Sequence, residues 1–366
     1  MSLACLGAAV PLRVTEAAAA GSASIPFEKY CDLDAPPKGW VAPEIIGHTK
    51  IRYPQPVAGG LGEGLVILRL TIGADGDVKS AVAEDWIGDF RLVDSAIRST
   101  KNWRFTPATF NGKPREYHSK YMGVDFYIMQ LREDRPIDRM AYKRLSAARD
   151  AIRSKDFKRA IDQAEEILHS VSSYFELTAA SYYLGLAQAG QKNWAEATFH
   201  LDHALRSDAE FLDEKQRIEG LQVRLVANQE TGALVEGLCT AAELAVLTKE
   251  SGDTEGDTAK YARLVREISA KIRTMQAMAA RLTVFKEVSS GHAMSVPHTV
   301  TRRNFRFEDI QGQFTKFHLI CSVLEIEGQV DLETEWDVPP EAGVCKVFLD
   351  GAVGASVNIV ERGPPR

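Results

Sequence analysis

Two histidines and one glutamate have the spacing of a helical metal site. His200 and His203 are one helical turn apart, and Glu196 lies one turn before His200. A helix would therefore place two imidazoles and a carboxylate on one face, where they could share a metal ion. The motif HExxH is absent, and these residues fall in a segment whose pattern predicts a surface helix. We expect a solvated helix face here and no metal site.

A glycine-rich run over residues 59–64 has the composition of a phosphate-binding loop. Such a loop needs a helix directly after the glycines, so that backbone N–H groups face the phosphate. Here a β-strand pattern follows, and the sequence Gly-Lys-Ser/Thr is missing. A loop before the strand is the simpler interpretation. Since nothing else groups an acid, a base and a nucleophile, the sequence predicts a protein that is not an enzyme and uses no cofactor.

Five cysteines are present, and four remain if a leader that carries Cys5 is removed. Cys321 and Cys345 lie on β-rich runs that could be neighbouring strands. We predict a disulfide between them, which would stabilise a small domain by ~3 kcal/mol in an oxidising compartment. The alternative is two buried free thiols. The absence of nearby histidine or cysteine pairs argues against zinc.

The charge of the chain makes some classes of partner poor candidates. Its 366 residues carry a net charge of −6, and the isoelectric point is about 5.8. No strongly basic patch is implied, which argues against nucleic acid and against anionic membrane surfaces. The length allows two or three domains, and no later segment has an apolar run long enough to predict an integral membrane span.

The first 25 residues resemble a leader segment. Leu3 to Leu12 form a short apolar run, and small residues follow at 17–24, as at a signal-peptide cleavage site. Basic residues before the apolar run are missing. Cys5 precedes most of that run, whereas a lipidated cysteine should follow it. We therefore predict an exported protein, periplasmic or secreted, in a Gram-negative type of envelope.

The elements that would position a binding site are clearest between residues 53 and 128. The strand LVILRLTI, which starts at Leu65, is apolar on both faces, which indicates burial. Asp75-Gly76 predicts a hairpin turn. Phe90, Val93, Ile97 and Trp103 then predict a helix with a core-facing stripe, entered near Asp89. After a second turn at Asn111-Gly112, a long strand over 117–128 would lie at the edge of the sheet.

Short motifs in this segment resemble the C-terminal domain of the TonB family, over about residues 40–130. Any one motif is weak, but their order within one domain length is specific. The residues that carry the resemblance are Tyr53, Pro54, Gly64, Asp75, Gly76, Trp103, Phe105, Pro107 and Gly112.

Members of that family bind a short peptide at the N-terminus of outer-membrane transporters by strand addition. The resemblance therefore implies a protein or peptide partner, with an outer-membrane transporter as one candidate. An energy-coupling member also needs a membrane anchor and a long Pro-rich spacer, and neither is evident here. The receiving edge would consist of Tyr121, Gly123, Val124, Asp125, Phe126, Tyr127 and Ile128.

The middle of the chain has a helical composition, and proline is absent from Ile137 to Ser295. Two segments align at an offset of 37 residues, with Lys155-Asp156-Phe157 and Lys192-Asn193-Trp194 at equivalent turns. This section resembles tetratricopeptide repeats, with a degenerate third pair over 218–247 and a long last helix over 261–285. Such an array either binds peptides on its concave surface or only spaces two β domains.

The tail has the pattern of a separate β-rich domain. Predicted strands lie over 299–307, 315–323, 329–335, 345–349 and 355–360, which suggests a small sandwich or barrel. Phe305 and Phe307 would face its core, with Trp336 in or near it. Residues 363–366 are expected to be disordered.

The sequence thus predicts an α+β multidomain protein. A leader (1–25) precedes a TonB C-terminal-like ββαβ domain (26–130), a tetratricopeptide-like helical domain (138–287) and a β-rich C-terminal domain (296–362). The predicted function is non-enzymatic protein binding in the periplasm by edge-strand addition, with a link to TonB-dependent transmembrane transport. An envelope scaffold or assembly factor that binds peptides through its helices is the alternative. An enzyme with a site in the tail is a third possibility.

Overall fold

A computed structural model of the chain describes residues 31, 36–47, 54, 63–126, 138–170, 173–206, 211–252, 256–288 and 291–365. Within these ranges the protein is a mixed α/β structure with eight α-helices and several sheets. The predicted leader lies outside the described residues. A β-rich part with one helix comes first, a helical array follows, and a β-rich part ends the chain.

The first part, here called the N-terminal domain, is built on a three-stranded antiparallel sheet with the order β4-β3-β8. Short strands form two further pairings, β1-β6-β7 and β2-β5. Its elements are β1 (Trp40–Val41), β2 (Ile45–Gly47), β3 (Gly64–Ile72), β4 (Val78–Gly88), α1 (Phe90–Thr100), β5 (Arg104–Phe105), β6 (Ala108–Phe110), β7 (Lys113–Arg115) and β8 (Tyr117–Phe126).

Helix α1 begins where the sequence predicts it. The Asp89 carboxylate accepts a hydrogen bond from the Arg91 N–H at 2.8 Å, which caps the first turn. Leu92 and Val93 pack against the sheet and are buried. Phe90 was expected in the core stripe, but it is 49% exposed. It is the first helical residue, and it lies beside Trp86 at the rim of the sheet, so that prediction is wrong.

The two turn predictions in this domain are confirmed. Gly76 has φ +82°, and a Cβ there would lie 2.1 Å from the Phe105 carbonyl oxygen, so only glycine fits. Asn111 and Gly112 have φ values of +49° and +77° and join β6 to β7. Both positive φ values fit the type of turn that matches the twist of a tight hairpin.

The helical array consists of three antiparallel helix pairs and a last helix, in the described ranges. Consecutive helices pack on one another. The elements are α2 (Arg139–Arg153), α3 (Phe157–Leu168), α4 (Tyr174–Gly190), α5 (Trp194–Arg206), α6 (Glu214–Thr231), α7 (Leu234–Glu250) and α8 (Asp257–Thr274).

The three pairs share one turn geometry. Lys155, Lys192 and Gly232 each adopt a left-handed conformation between the helices of a pair. The residue after each donates its N–H to a carbonyl five positions earlier, which is the longer hydrogen bond of a Schellman-type cap. The predicted equivalence of the first two turns is therefore confirmed, and a third follows. Membership of the tetratricopeptide family stays a prediction.

The third pair was hard to recognise because a large residue replaces the small one on its first helix. Counted from the shared turn, Ala148 and Gly185 of the first two pairs correspond to Leu225 in the third. The facing residue is Gly237, and a Cβ there would lie 4.0 Å from the Leu225 side chain. A large residue on the first helix thus meets a small one on the second, which fills the same space.

Gly185 is expected to tolerate no side chain. A Cβ there would lie 2.7 Å from the Leu201 Cγ and 3.1 Å from its N atom, at the crossing of α4 and α5. Gly185→Ala should lower the free energy of unfolding by ~1–3 kcal/mol through overpacking. Gly220→Ala is the matched control, because its Cβ would meet neighbours at 3.4 Å or more. It should stabilise helix α6 by ~0.5–1 kcal/mol. Urea denaturation measures both, and equal effects would contradict the prediction.

The C-terminal domain is a sandwich of two antiparallel sheets, β10-β9-β17-β12-β15 and β11-β16-β13-β14. Phe305 and Phe307 lie in its core, as predicted, and Trp336 packs on Phe317. Its strands are β9 (Ala277–Lys286), β10 (Ala293–Ser295), β11 (His298–Val300), β12 (Arg302–Gln311), β13 (Phe314–Cys321), β14 (Glu325–Gly328), β15 (Glu335–Asp337), β16 (Cys345–Gly351) and β17 (Ser356–Pro365).

Three predictions about this domain are wrong. Residues 277–285 form strand β9 and not the end of a long helix, because they pair with β17 and alternate residues from Met278 to Val284 are buried. The strand predicted over 329–335 is not found, because all of these residues except Glu335 lie between β14 and β15. Residues 363–365 continue β17, where Pro365 pairs with Arg302. Arg366 lies outside the described residues.

Two disulfides join the four cysteines that the structure describes. Cys321 and Cys345 lie opposite each other on β13 and β16 and are bonded. Cys31 is bonded to Cys239 of helix α7, which is 208 residues away. This second bridge ties the chain before the N-terminal domain to the third helix pair, and nothing in the sequence pattern indicated it.

Candidate functional site

Strand β8 lies at one end of the three-stranded sheet and carries most of the predicted partner-binding residues. Tyr121, Gly123 and Asp125 lie opposite Arg69, Ile67 and Leu65 of β3. Val124 and Phe126 point to the other face and are buried in the core of the domain. The predicted set is therefore divided between two faces. Tyr127 and Ile128 lie outside the described residues.

The second face of the sheet packs on the helical array. Leu65 and Ile87 belong to one buried cluster with Leu145, Ile167 and Leu177 of the helices. This explains why β3 is apolar on both faces. It also shows that the N-terminal domain is held against the array over its sheet and is not a separate module on a tether.

The start of β8 meets the C-terminal domain. The N–H of His118 donates a hydrogen bond of 3.0 Å to the carbonyl oxygen of Ser322, just after β13. On the same side, Arg69 donates to Glu84 at 2.6 Å and to Glu325 of β14 at 3.3 Å. The first residues of β8, which precede the predicted receiving edge, are thus in contact with the C-terminal domain.

The family-motif residues form the frame of the domain. A Cβ on Gly64 would lie 2.0 Å from the Ile87 carbonyl oxygen, so β3 and β4 approach closely there. The Asp75 carboxylate accepts from the Asp77 N–H at 3.1 Å within the hairpin turn. Trp103 and Phe105 are buried. Pro107 packs near Gly76. These positions shape the fold that presents the edge strand; Tyr53 lies outside the described residues, and Pro54 is half-buried.

His200 and His203 are not on a solvated face, so that expectation is wrong. They are 1% and 7% exposed. Burial lowers the pKa of His200 to about 3, so its imidazole is neutral. The Nε2 atom of His203 bonds the Asp85 carboxylate of β4, which Arg206 also contacts. Within the described ranges, no group of three or more His, Cys, Asp or Glu side chains is placed to hold a metal ion.

Asp85 is the polar anchor between the N-terminal domain and the array. Burial by itself would raise the pKa of this carboxyl, but His203 and Arg206 hold it below its ordinary value of 3.8. The carboxylate is therefore charged at neutral pH. Close by, the Glu63 carboxylate accepts the N–H of Tyr174 at 2.9 Å and so caps the first turn of α4. Sequence reasoning missed both contacts, because their partners lie more than 100 residues away.

Asp85→Ala should loosen the N-terminal domain from the array. It removes the hydrogen bonds that His203 and Arg206 make to this carboxylate, and because Arg206 is 41% exposed we expect the free energy of unfolding to fall by only ~1–2 kcal/mol. Hydrogen exchange should quicken along β3 and β4 and at α5. Asp94→Ala, at an exposed position of α1, is the control. Equal exchange in the two variants would show that Asp85 does not hold the interface.

Comparison with known proteins agrees with this geometry. The family model of the Gram-negative bacterial TonB protein C-terminal domain matches residues 49–128. No curated protein matches the chain. The match supports the sequence resemblance for this segment, which is about a fifth of the chain. A domain of this type mediates protein interactions and indicates an envelope protein with a TonB-type role. Across the helices that the structure describes, none is long and apolar enough to cross a bilayer.

Proposed function

We propose that this envelope protein binds an extended segment of a partner protein along strand β8 of its N-terminal domain. The position of β8 at the end of the order β4-β3-β8 is the observation that carries the proposal. A sheet end can accept a further strand through its backbone groups, and side chains then select the sequence. The family match over 49–128 supports the same strand, and a periplasmic location follows from this role.

The hydrogen bond from His118 to Ser322 removes the start of β8 from the proposed site. The added strand would therefore be short. Each main-chain hydrogen bond contributes only ~1 kcal/mol net, so four bonds correspond to about millimolar affinity. A tighter complex would need additional contacts between the partner and the neighbouring domains of this protein.

Site-specific photo-crosslinking tests the proposal. A photoreactive residue at Asp125 of the full chain should crosslink a synthetic peptide that copies the N-terminal segment of an outer-membrane transporter. Unlabelled peptide should compete for the adduct. The matched control is the same photoreactive residue at Lys158, which is 84% exposed on helix α3 of the array. Equal adducts at both positions, or none at Asp125, would refute binding at this edge.

The alternative role for the array is that of a scaffold. Both β domains rest on it: the first through the cluster around Leu65, the second through Glu236 of α7, whose carboxylate accepts the Thr299 N–H at 2.9 Å. The Arg302 guanidinium, which is 1% exposed, also binds the Met275 carbonyl at 2.7 Å, just past the end of α8. These contacts favour spacing of the two β domains over peptide binding by the helices.

A further inference from the structure

Strand β4 forms the opposite end of the same sheet, and its outer flank is open. In the part of the chain that the structure describes, the strand-to-strand pairing of β4 is with β3. The preceding residue, Asp77, still forms a bridge to Arg104. From Val78 onward, no other strand in the described ranges lies alongside it. An unpaired flank of this kind is a template for pairing with another strand.

Two irregularities define which part of β4 could pair. The register with β3 shifts at two bulges, whose extra residues are Lys79 and Glu84. Glu84 turns its carboxylate toward Arg69 at 2.6 Å. Between the two bulges, residues 80–83 are regular. Bulges at a sheet edge limit open-ended pairing, so the usable stretch is short and bounded.

The side chains of this stretch are complementary to themselves. Ala81 and Ala83 point toward the core under α1, whereas Ser80 and Val82 lie on the other face and are exposed, Val82 by 41%. If two copies pair through this strand, a two-fold axis perpendicular to the sheet relates them, and each face of one sheet continues the same face of the other. Because side chains alternate between the faces, the axis of an antiparallel pair must then pass through a residue and its copy. Centred on Val82, it sets Ala81 against Ala83 and places the two exposed Val82 side chains against each other.

We propose that two copies of this chain associate through β4, with Val82 on the two-fold axis. The two sheets then form one continuous six-stranded sheet, and each Val82 covers the other. The contact is isologous and uses up both flanks, so assembly ends at the dimer. Only a few backbone bonds form, so the dimer is weak and reversible. This inference does not depend on partner binding at β8, which is at the other end of the sheet.

Cysteine crosslinking tests the register. Directly opposed residues of an antiparallel pair have Cα atoms about 4.5–5.5 Å apart, within the range of a disulfide. Val82→Cys, made in a Cys5→Ser background of the full chain, should form a covalent dimer on mild oxidation. Val226→Cys is the matched control, because that valine is 45% exposed on helix α6. No more covalent dimer from Val82→Cys than from Val226→Cys would overturn the proposal.

Sedimentation velocity provides the second measurement. The unmodified chain should show a dimer that increases with concentration. Val82→Lys places two like charges against each other on the axis and should weaken the association about tenfold or more. Val226→Lys should leave it unchanged, and Val82→Thr should retain it. A chain that stays monomeric throughout, or a dimer that Val82→Lys does not affect, would refute pairing through β4.

Discussion

Replacing both Cys31 and Cys239 by serine is expected to lower the free energy of unfolding by ~3–5 kcal/mol. Their bridge closes a loop between residues 208 positions apart, and the entropy that a crosslink removes from the unfolded chain rises with loop length. The loss should appear as a lower urea midpoint under non-reducing conditions. Replacing both residues also avoids a free thiol that could form new bridges.

The second disulfide provides the comparison for this prediction. Cys321 and Cys345 are only 24 residues apart, and the same loop argument gives ~3 kcal/mol for their bridge. The wild-type protein treated with reductant should lose the stabilisation of both. If the Cys31→Ser/Cys239→Ser variant unfolded at the same urea concentration as the wild type, the long bridge would contribute nothing to the stability of the fold.

Glu361→Ala should destabilise the C-terminal domain by ~3–5 kcal/mol, since it leaves a buried histidine without its ion partner. The Glu361 and His298 side chains are 2% and 5% exposed, and their Oε1 and Nε2 atoms are 2.8 Å apart. The second carboxylate oxygen accepts the backbone N–H groups of Thr301 and Arg302, at 2.6 and 2.8 Å. One carboxylate thus bonds both the His298 side chain of β11 and the backbone N–H groups at the start of β12.

The same pair predicts how stability depends on pH. Burial by itself would lower the pKa of His298, but Glu361 raises it above the ordinary 6.5; burial would raise the pKa of Glu361, but His298 and the backbone donors hold it below 4.5. The contribution of His298 is complete below pH 6.5 and is lost as the pH rises through its raised value. That of Glu361 is complete above pH 4.5 and is lost on acidification. The pair therefore stabilises most between these two limits.

Thermal unfolding of wild type and Glu361→Ala over a pH series measures this effect. The difference in stability between them should be largest at about pH 4.5–6.5 and decline on either side. Glu308→Ala is the control, because its carboxylate lies on the surface of the same sheet and is 40% exposed. A difference that does not change with pH would mean that the ion pair is not what Glu361 contributes.

Local signals explain most of what could be predicted about the fold. The hairpin at Asp75-Gly76, the cap at Asp89 and the turn at Asn111-Gly112 each depend on residues within one or two positions, and all three are found. Strand β9 was mistaken for helix because its sequence, AMAARLTVFK, begins with good helix formers. Its pairing with β17 and its alternating burial override that preference.

The candidate site was predicted only in part. The order of motifs located the TonB-like segment and the strand at its end, and the family model matches that segment. The sequence could not show that the second face of the sheet rests on helices, or that His118 contacts Ser322. Those contacts join residues far apart in the chain, so no short pattern carries them.

The sequence by itself thus determined the elements with strong local chemistry: the turns, the caps, the first domain and the change from β to α composition. The tertiary structure alone decided which side chains are buried and what they meet. It placed His203 on Asp85, joined Cys31 to Cys239 and left the outer flank of β4 open. The physical reason is that propensity and capping act within a few residues, whereas burial and ion pairing depend on packing between distant elements.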